Sequence, residues 1–304
     1  MMTLVSVVIP CHDYGRFLAA AIESALGQSY AEMEVIVVDD GSTDDTPTVA
    51  AGYPAVRYVW QANRGQGEAS NRGLKEATGE FVLFLDADDA LEAGAIEGLV
   101  RCLEERPECV FAYGHQQWVE MRGSVITTRA ERSARVQTCL QGDPYAYMLR
   151  TNNPLRAPGA ILYRTDAVRS AGAFAGDLGN AQDLDLNLRL VRDHAICCDD
   201  RIVLSTRVHA TNATRNYGVM LQGAVQAQLR QRSFAGHHPV YKRDYEAGLK
   251  LARSYWGAHL ARQVISQFRA REMRQALRSL WTLARFSPAA GMLEAARGVA
   301  RRGE

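Results

Sequence analysis

Short runs of β-branched and aliphatic residues alternate with stretches of helical periodicity over roughly the first ninety residues. Val5-Ser6-Val7-Val8-Ile9 is apolar throughout and ends at Pro10, the pattern of a strand buried on both faces. From Gly15 to Gln28 the positions Phe17, Leu18, Ala21, Ile22, Ala25 and Leu26 recur at helical spacing. Glu34 to Val38 predicts a second buried strand, which ends in Asp39-Asp40-Gly41-Ser42. A helix over Thr43–Ala51, a strand over Val56–Trp60 and a helix over Gln66–Thr78 follow, and the strand Glu80–Leu85 runs into Asp86-Ala87-Asp88-Asp89. Alternation of this kind implies a mostly parallel sheet with helices on both faces.

Beyond a helix over Ala95–Glu105 the pattern loosens. Val110 to Met121 predicts a strand, and Arg122 to Asp143 is polar and poorly periodic. Pro154, Pro158 and Gly159 mark Asn152 to Arg164 as a loop leading into a strand over Ala160–Tyr163. A helix over Asp183–Arg192 and a strand over Ile202–His209 complete this part. From about Met220 the chain turns rich in Ala, Leu, Arg and Gln with helical periodicity, so the expected division is a catalytic α/β domain over 1–215 and a helical, basic extension over 216–304.

Composition narrows the function classes. The 304 residues are 47% hydrophobic, which suits a globular core. With 35 basic and 34 acidic residues the net charge is +1, so no global field argues for nucleic acid as a partner. No apolar run reaches the length of about eighteen residues that a membrane span needs, and residues 3–10 lack the basic flank and cleavage site of a signal peptide. Six scattered cysteines fall in no zinc-ligand spacing and read as free thiols of a reducing cytoplasm.

The acidic strand ends carry the chemistry. Ligands of open parallel sheets bind beyond the carboxyl ends of the strands, and two predicted strands here end in carboxylate clusters. Carboxylates gathered in one crevice repel each other unless a cation or hydrogen-bond donors compensate them. A divalent cation with oxygen ligands, Mg²⁺ or Mn²⁺, would do so and would also hold a diphosphate. Each motif alone also reads as a turn with a helix cap; their pairing at strand ends favours the site.

The N-terminal part resembles the family 2 glycosyltransferases of the GT-A fold. The resemblance rests on Val5 to Pro10, Val35 to Asp44, Asn63-Arg64-Gly65 with Ala69 to Gly73, and Phe84 to Asp89, in matching order over roughly residues 3 to 210. It implies a nucleotide pocket lined by Pro10, Cys11, His12 and Tyr14. Asp39 would accept a hydrogen bond from the base, uracil N3, and Asp40 would sit beside base or ribose. Asp86 would contact ribose or donor sugar, with Asn63, Asn71 and Ala87 in the same donor-binding set. Asp88 would ligate the metal under the diphosphate. Three departures stand out: His12 and Asp13 replace a usual Tyr and Asn, Ser70 replaces a usual basic residue, and Gln182 replaces a usual Glu.

Transfer requires a neutralised diphosphate leaving group and a carboxylate base for the acceptor hydroxyl. The resemblance assigns the base to Asp183, in Ala181 to Leu190, with Asp185 as the second candidate; a first-turn or cap role is the structural alternative. Base-assisted attack from the opposite face implies inversion. By the same resemblance His209, in Arg207 to Asn212, is a further metal ligand or diphosphate contact, against the plainer reading of a surface histidine. Asn152, Asn153 and Gly159 fall where relatives shape the acceptor pocket.

Between Arg262 and Arg302 nine arginines face two glutamates, and Leu277, Leu280, Trp281, Leu283, Ala284 and Phe286 supply apolar positions. Such helices either lie on an anionic bilayer surface or pack on the catalytic domain with a solvated arginine face. The expected activity is non-processive, inverting transfer from a UDP-sugar to a glycan or lipid-linked oligosaccharide in cell-surface polysaccharide synthesis. The setting is cytoplasmic, with peripheral membrane contact through the C-terminal helices. The alternatives are a polyprenyl-phosphate sugar transferase and a nucleotide-sugar-binding protein without transfer activity.

Overall fold

The computed structural model describes residues 2–120, 140, 142–155 and 157–288. Met121, Arg122 to Cys139, Gln141 and the arginines beyond Pro288, all named above, lie outside the described residues. The elements run β1 (Val5–Cys11), α1 (Gly15–Leu26), β2 (Met33–Asp40), α2 (Thr46–Ala51), β3 (Val56–Gln61), α3 (Gln66–Glu76), β4 (Phe81–Phe84), β5 (Ala90–Leu91), α4 (Ala95–Glu105) and β6 (Cys109–Val119). There follow α5 (Pro144–Thr151), β7 (Ile161–Arg164), α6 (Thr165–Ser170), α7 (Gln182–Val191), β8 (Ala195–Arg207), α8 (Tyr217–Arg230), α9 (Lys242–Arg269) and α10 (Met273–Phe286).

The strands form one sheet in the order β3-β2-β1-β4-β7-β6-β8-β5. β3, β2, β1 and β4 are mutually parallel, as the alternation predicts, and β6 runs parallel to β8. β7 enters antiparallel between β4 and β6, and β5 pairs antiparallel with β8. Val5, Val7 and Ile9 of β1 and Val35 and Val37 of β2 join Leu18, Ala21 and Ile22 of α1 and Ile96 and Leu99 of α4 in one core. On the other face Gly73 of α3 sits so close to β1 that a Cβ there would lie 2.1 Å from Val8 Cγ1. Both faces are thereby covered, which is why these strands read as continuous apolar runs.

Four elements depart from the sequence reading. β5 has two residues, too few for a period to show, and α5 and α6 lie over short stretches to which the sequence pattern assigns no element. β8 starts at Ala195 rather than Ile202 because Asp199, Asp200 and Arg201 interrupt its apolar pattern. The buried Asp199 carboxylate is answered there by the Arg201 guanidinium at 2.9 Å. The thiols are a correction: Cys11, Cys102, Cys109 and Cys197 are free, but Cys198 is disulfide-bonded, and Cys139 lies outside the described residues.

The chain divides into two units. The first comprises 1–144, 155–176 and 186–210, and holds the sheet; the second comprises 145–154, 177–185 and 211–304. Within the second, Leu221, Ala224, Val225, Ala252, Leu260, Ala261, Leu283 and Phe286 form the core between α8, α9 and α10. Gly248 of α9 passes so near α5 that a Cβ would lie 1.7 Å from the Leu149 carbonyl oxygen. No helix among the described residues is long and apolar enough to cross a membrane.

Candidate active site

Register sets the strand ends of the first unit side by side. Cys11 is level with Asp39, and Asp39 with Trp60, at the carboxyl edge of β1, β2 and β3. Leu85 donates to the Val8 carbonyl at 2.8 Å, so the strand path of β4 continues alongside β1 up to Asp86. The predicted acidic motifs therefore project from one edge of one sheet.

Asp39 is 0% exposed, and its two oxygens accept from the Ser42 amide at 2.7 Å and from the Tyr58 hydroxyl at 2.6 Å. Tyr58 escaped the sequence reading. The signal that could have found it is an aromatic pair, Tyr58 and Trp60, two apart and so on one face of a strand that also carries Arg57 and Gln61. Burial and the neighbouring Asp39 carboxylate push the Tyr58 phenol well above its ordinary range. Asp40 organises the next loop, accepting from the Arg64 amide at 2.9 Å, the Gly65 amide at 2.8 Å and Gln61 Nε2 at 2.7 Å. That loop delivers Asn63, whose amide nitrogen lies 2.9 Å from His12 Nε2. Gln66, at the start of α3, donates to Asp86 at 2.6 Å.

The other named donor residues divide by surroundings. Cys11 is buried against Thr46, and burial pushes its thiol up to about 11, which suits a wall and not a nucleophile. Asn71 uses both ends of its amide on the Phe174 backbone, at 2.9 Å each, and so ties α3 to the segment after α6. Asp13, at φ 55°, donates its amide to Ser42 Oγ and accepts from the Thr43 amide, lacing the loop after β1 to the loop after β2.

The short β5 decides the metal-binding candidates. Its register, Ala90 opposite Ser205 and Leu91 opposite Leu204, carries the preceding aspartates alongside the end of β8. Asp89 then accepts from the Arg207 amide at 3.0 Å and from Thr206 Oγ1 at 3.3 Å. Asp88 Oδ2 comes to 2.9 Å from His209 Nε2. The His209 ring stacks on Phe17 at 4.6 Å and meets the edge of Tyr14 at 5.7 Å, so α1 fixes its orientation. Burial raises Asp89 well above the ordinary carboxylate range, and Asp86 and Asp88 add to it. One carboxylate oxygen and one imidazole nitrogen within reach of each other are donors that could serve a divalent cation such as Mn²⁺. Among the described residues no group of three His, Cys, Asp or Glu side chains converges on one point.

In the second unit, Asp183 opens α7 and is 9% exposed. Asn153 donates to its Oδ2 at 2.7 Å, while Oδ1 is buried with no hydrogen-bond partner among the described residues. Burial pushes the carboxyl up to about 6, against the lowering effect of Asn153 and the Leu184 amide. Asn152 and Asn153 both hold left-handed backbone, φ 57° and 65°, a conformation that asparagine tolerates better than most residues. Asp185, the second candidate, lies 3.7 Å from Arg230 and is ion-paired. Gly159, in the first unit, packs against Leu204 and Leu85.

An α/β sheet with carboxylates beyond the ends of its parallel strands belongs to the class of folds whose ligands bind at that edge. The sequence model of the family described as Glycosyl transferase family 2 matches residues 6–170, more than half of the chain, and the chain belongs to that family. It is 27% identical over 215 residues to a glycosyltransferase of Rickettsia prowazekii, covering 69% of this chain and 66% of that protein. Among solved structures it is similar to the mannosyltransferase PcManGT from Pyrobaculum calidifontis in complex with GDP-Man and Mn²⁺. The TM-score is 0.64 at 19% identity, over 99% of this chain and 81% of that one. It is also similar to S. aureus TarS 1–349 in complex with UDP-GlcNAc, with a TM-score of 0.57 at 18% identity over 93% and 92%. These likenesses place the chain in the GT-A fold.

Proposed function

We propose that the protein transfers a sugar, with inversion, from a nucleotide diphosphate donor to a hydroxyl of a glycan or lipid-linked acceptor, one addition per encounter. The catalytic domain is 1–215 and the extension 216–304. The observation that carries the reading is the 2.9 Å approach of Asp88 to His209, two residues 121 positions apart that a metal and diphosphate site requires together. The donor pocket is lined by Pro10, Cys11, His12, Tyr14, Asp39, Asp40, Asn63, Asp86 and Ala87, with Asn71 bracing α3 behind it. TarS with UDP-GlcNAc and PcManGT with GDP-Man and Mn²⁺ support a nucleotide-sugar donor; uracil is the base we favour, and so a UDP-sugar, on the position of Asp39.

Asp88 and His209 would hold the divalent cation, which neutralises charge on the departing diphosphate. Asp183 takes the proton of the acceptor hydroxyl through the oxygen that has no hydrogen-bond partner among the described residues. The acceptor oxygen then bonds to the anomeric carbon as the bond from that carbon to the phosphate oxygen breaks, and the configuration inverts. Transfer takes place on the cytoplasmic side, in surface polysaccharide synthesis, with the C-terminal helices in peripheral contact with the membrane.

The test is nucleotide release from a panel of nucleotide sugars with Mn²⁺ or Mg²⁺, with and without EDTA. Turnover of one donor that EDTA abolishes and Asp88→Ala loses supports the reading. Donor binding that never yields product with any acceptor marks a binding protein instead, and no binding to any donor overturns both.

A further inference from the structure

Helix α10 divides its apolar residues between two directions. Ala276, Leu283 and Phe286 turn inward, Leu283 and Phe286 into the core with α8 and α9. Met273, Leu277, Leu280 and Trp281 turn outward and are 51%, 57%, 43% and 60% exposed. With Ala284, also exposed, they recur at i, i+4, i+7, i+8 and i+11, one continuous stripe along the helix. Arg274, Arg278 and Arg285 recur at i, i+4 and i+11 and form a parallel row beside it, all exposed. Arg285 lies over the Trp281 ring at 5.2 Å, joining row and stripe. From Arg262 to Pro288 there are six arginines and one acid, Glu272.

A helix whose role ended at packing on α8 and α9 would carry polar residues on the outward stripe. Four large apolar side chains held in water have a cost that an apolar partner removes, and the arginine row requires that partner to present negative charge alongside. An anionic bilayer offers both at the right depths: acyl chains for the stripe, phosphates for the arginines, and the headgroup boundary for Trp281. We infer that α10 is the membrane-docking element of this protein. It lies in the plane of an anionic bilayer with Met273, Leu277, Leu280 and Trp281 in the acyl boundary and Arg274, Arg278 and Arg285 on lipid phosphates. The inference rests on the peripheral membrane contact proposed above and assigns it a surface and a lipid chemistry.

The test is co-sedimentation of the full chain with vesicles of phosphatidylcholine alone and of phosphatidylcholine with about a third phosphatidylglycerol. EDTA is present and no donor is added, so that binding is read apart from transfer. Sedimentation with the anionic vesicles, little with neutral ones, and weakening at high salt are expected. R274Q/R278Q lowers the partition coefficient about twenty- to thirtyfold, from about fivefold per arginine. L277S/W281S lowers it about tenfold or more. Both variants change exposed residues, and an unchanged circular dichroism melt shows that they fold. Equal binding to both vesicle types, or R274Q/R278Q binding as the parent does, overturns the inference. So does a dimer in solution that L277S/W281S converts to monomer, which makes the stripe a contact between copies. Vesicle binding by a chain that turns over no donor leaves the inference standing and sinks the transfer reading alone.

Discussion

Asn153, held in left-handed backbone, donates to one oxygen of Asp183 and leaves the other buried without a partner among the described residues. Burial pushes that carboxyl up to about 6, near the optimum for a base that works at neutral pH. We therefore expect the transfer rate to rise with pH through about 6 as Asp183 ionises. Asp183→Asn should lower kcat by about 10² to 10⁴. Asn153→Gly keeps the backbone conformation and removes the donor, so the midpoint of the pH–rate profile should move upward while the plateau at pH 8 changes less. An unmoved midpoint would show that Asn153 does not tune the base.

The same shift has a stability consequence of defined sign. A carboxyl with a raised pKa in the folded state binds its proton more tightly there than in the unfolded chain. Its contribution to stability is present below about pH 4 and is lost as pH rises through about 6. Asp183→Asn removes that loss and should raise stability at pH 8 by about 1–3 kcal/mol, with a much smaller effect at pH 4. Urea unfolding at the two pH values measures it; equal effects at both would contradict the assignment.

Asp88 and His209 should fail in different ways. Asp88→Ala should reduce metal-dependent turnover about 10²-fold or more. His209→Ala should raise the Mn²⁺ concentration for half-maximal activity at least about tenfold. Phe17→Leu frees the imidazole that Phe17 stacks on, and should give a milder shift in the same direction. A His209→Ala enzyme with unchanged metal dependence would move His209 out of the metal site.

Tyr58 supplies a separate test of the base pocket. Tyr58→Phe leaves the ring and removes the hydrogen bond that holds Asp39 Oδ2. The Kd for UDP, read by calorimetry, should rise about three- to tenfold as the carboxylate loses its fixed orientation. A Kd equal to the parent's would limit Tyr58 to a packing role.

Gly73 tests the approach of α3 to the sheet. A methyl group there meets Val8 Cγ1, a branched core side chain with no room to withdraw, so Gly73→Ala should destabilise the protein by about 1–3 kcal/mol. Thermal unfolding at fixed pH reads the change, and a neutral result would mean that α3 can shift outward.

The legible part of the fold was the part written in local pattern. β1 and β2 could be read from Val5 to Ile9 and Glu34 to Val38 because strands covered on both faces must be apolar at every position. α1 and α4 showed their core faces as helical periodicity. The acidic ends Asp39-Asp40 and Asp86 to Asp89 were visible as two carboxylate clusters at the ends of apolar strands, although several of them also hold the adjoining loops. β5, by contrast, is too short to have a period, and the antiparallel entry of β7 leaves no mark on its own residues. The outward stripe of α10 was legible only as apolar content: Leu283 and Phe286 look the same in the sequence as Leu277 and Trp281, and packing alone sorts them.

The sequence by itself thus determined the elements, their alternation and the kinds of donor groups at the strand ends. Tertiary structure decided which of those groups meet. Asp88 reaches His209 because Ala90 and Leu91 pair with Ser205 and Leu204, and Asp39 is held by Tyr58 because Asp39 is level with Trp60. The physical reason is register: a strand's own pattern says which of its faces are covered, not which strand lies beside it or at what offset, so contacts between distant positions exist only once the sheet has closed.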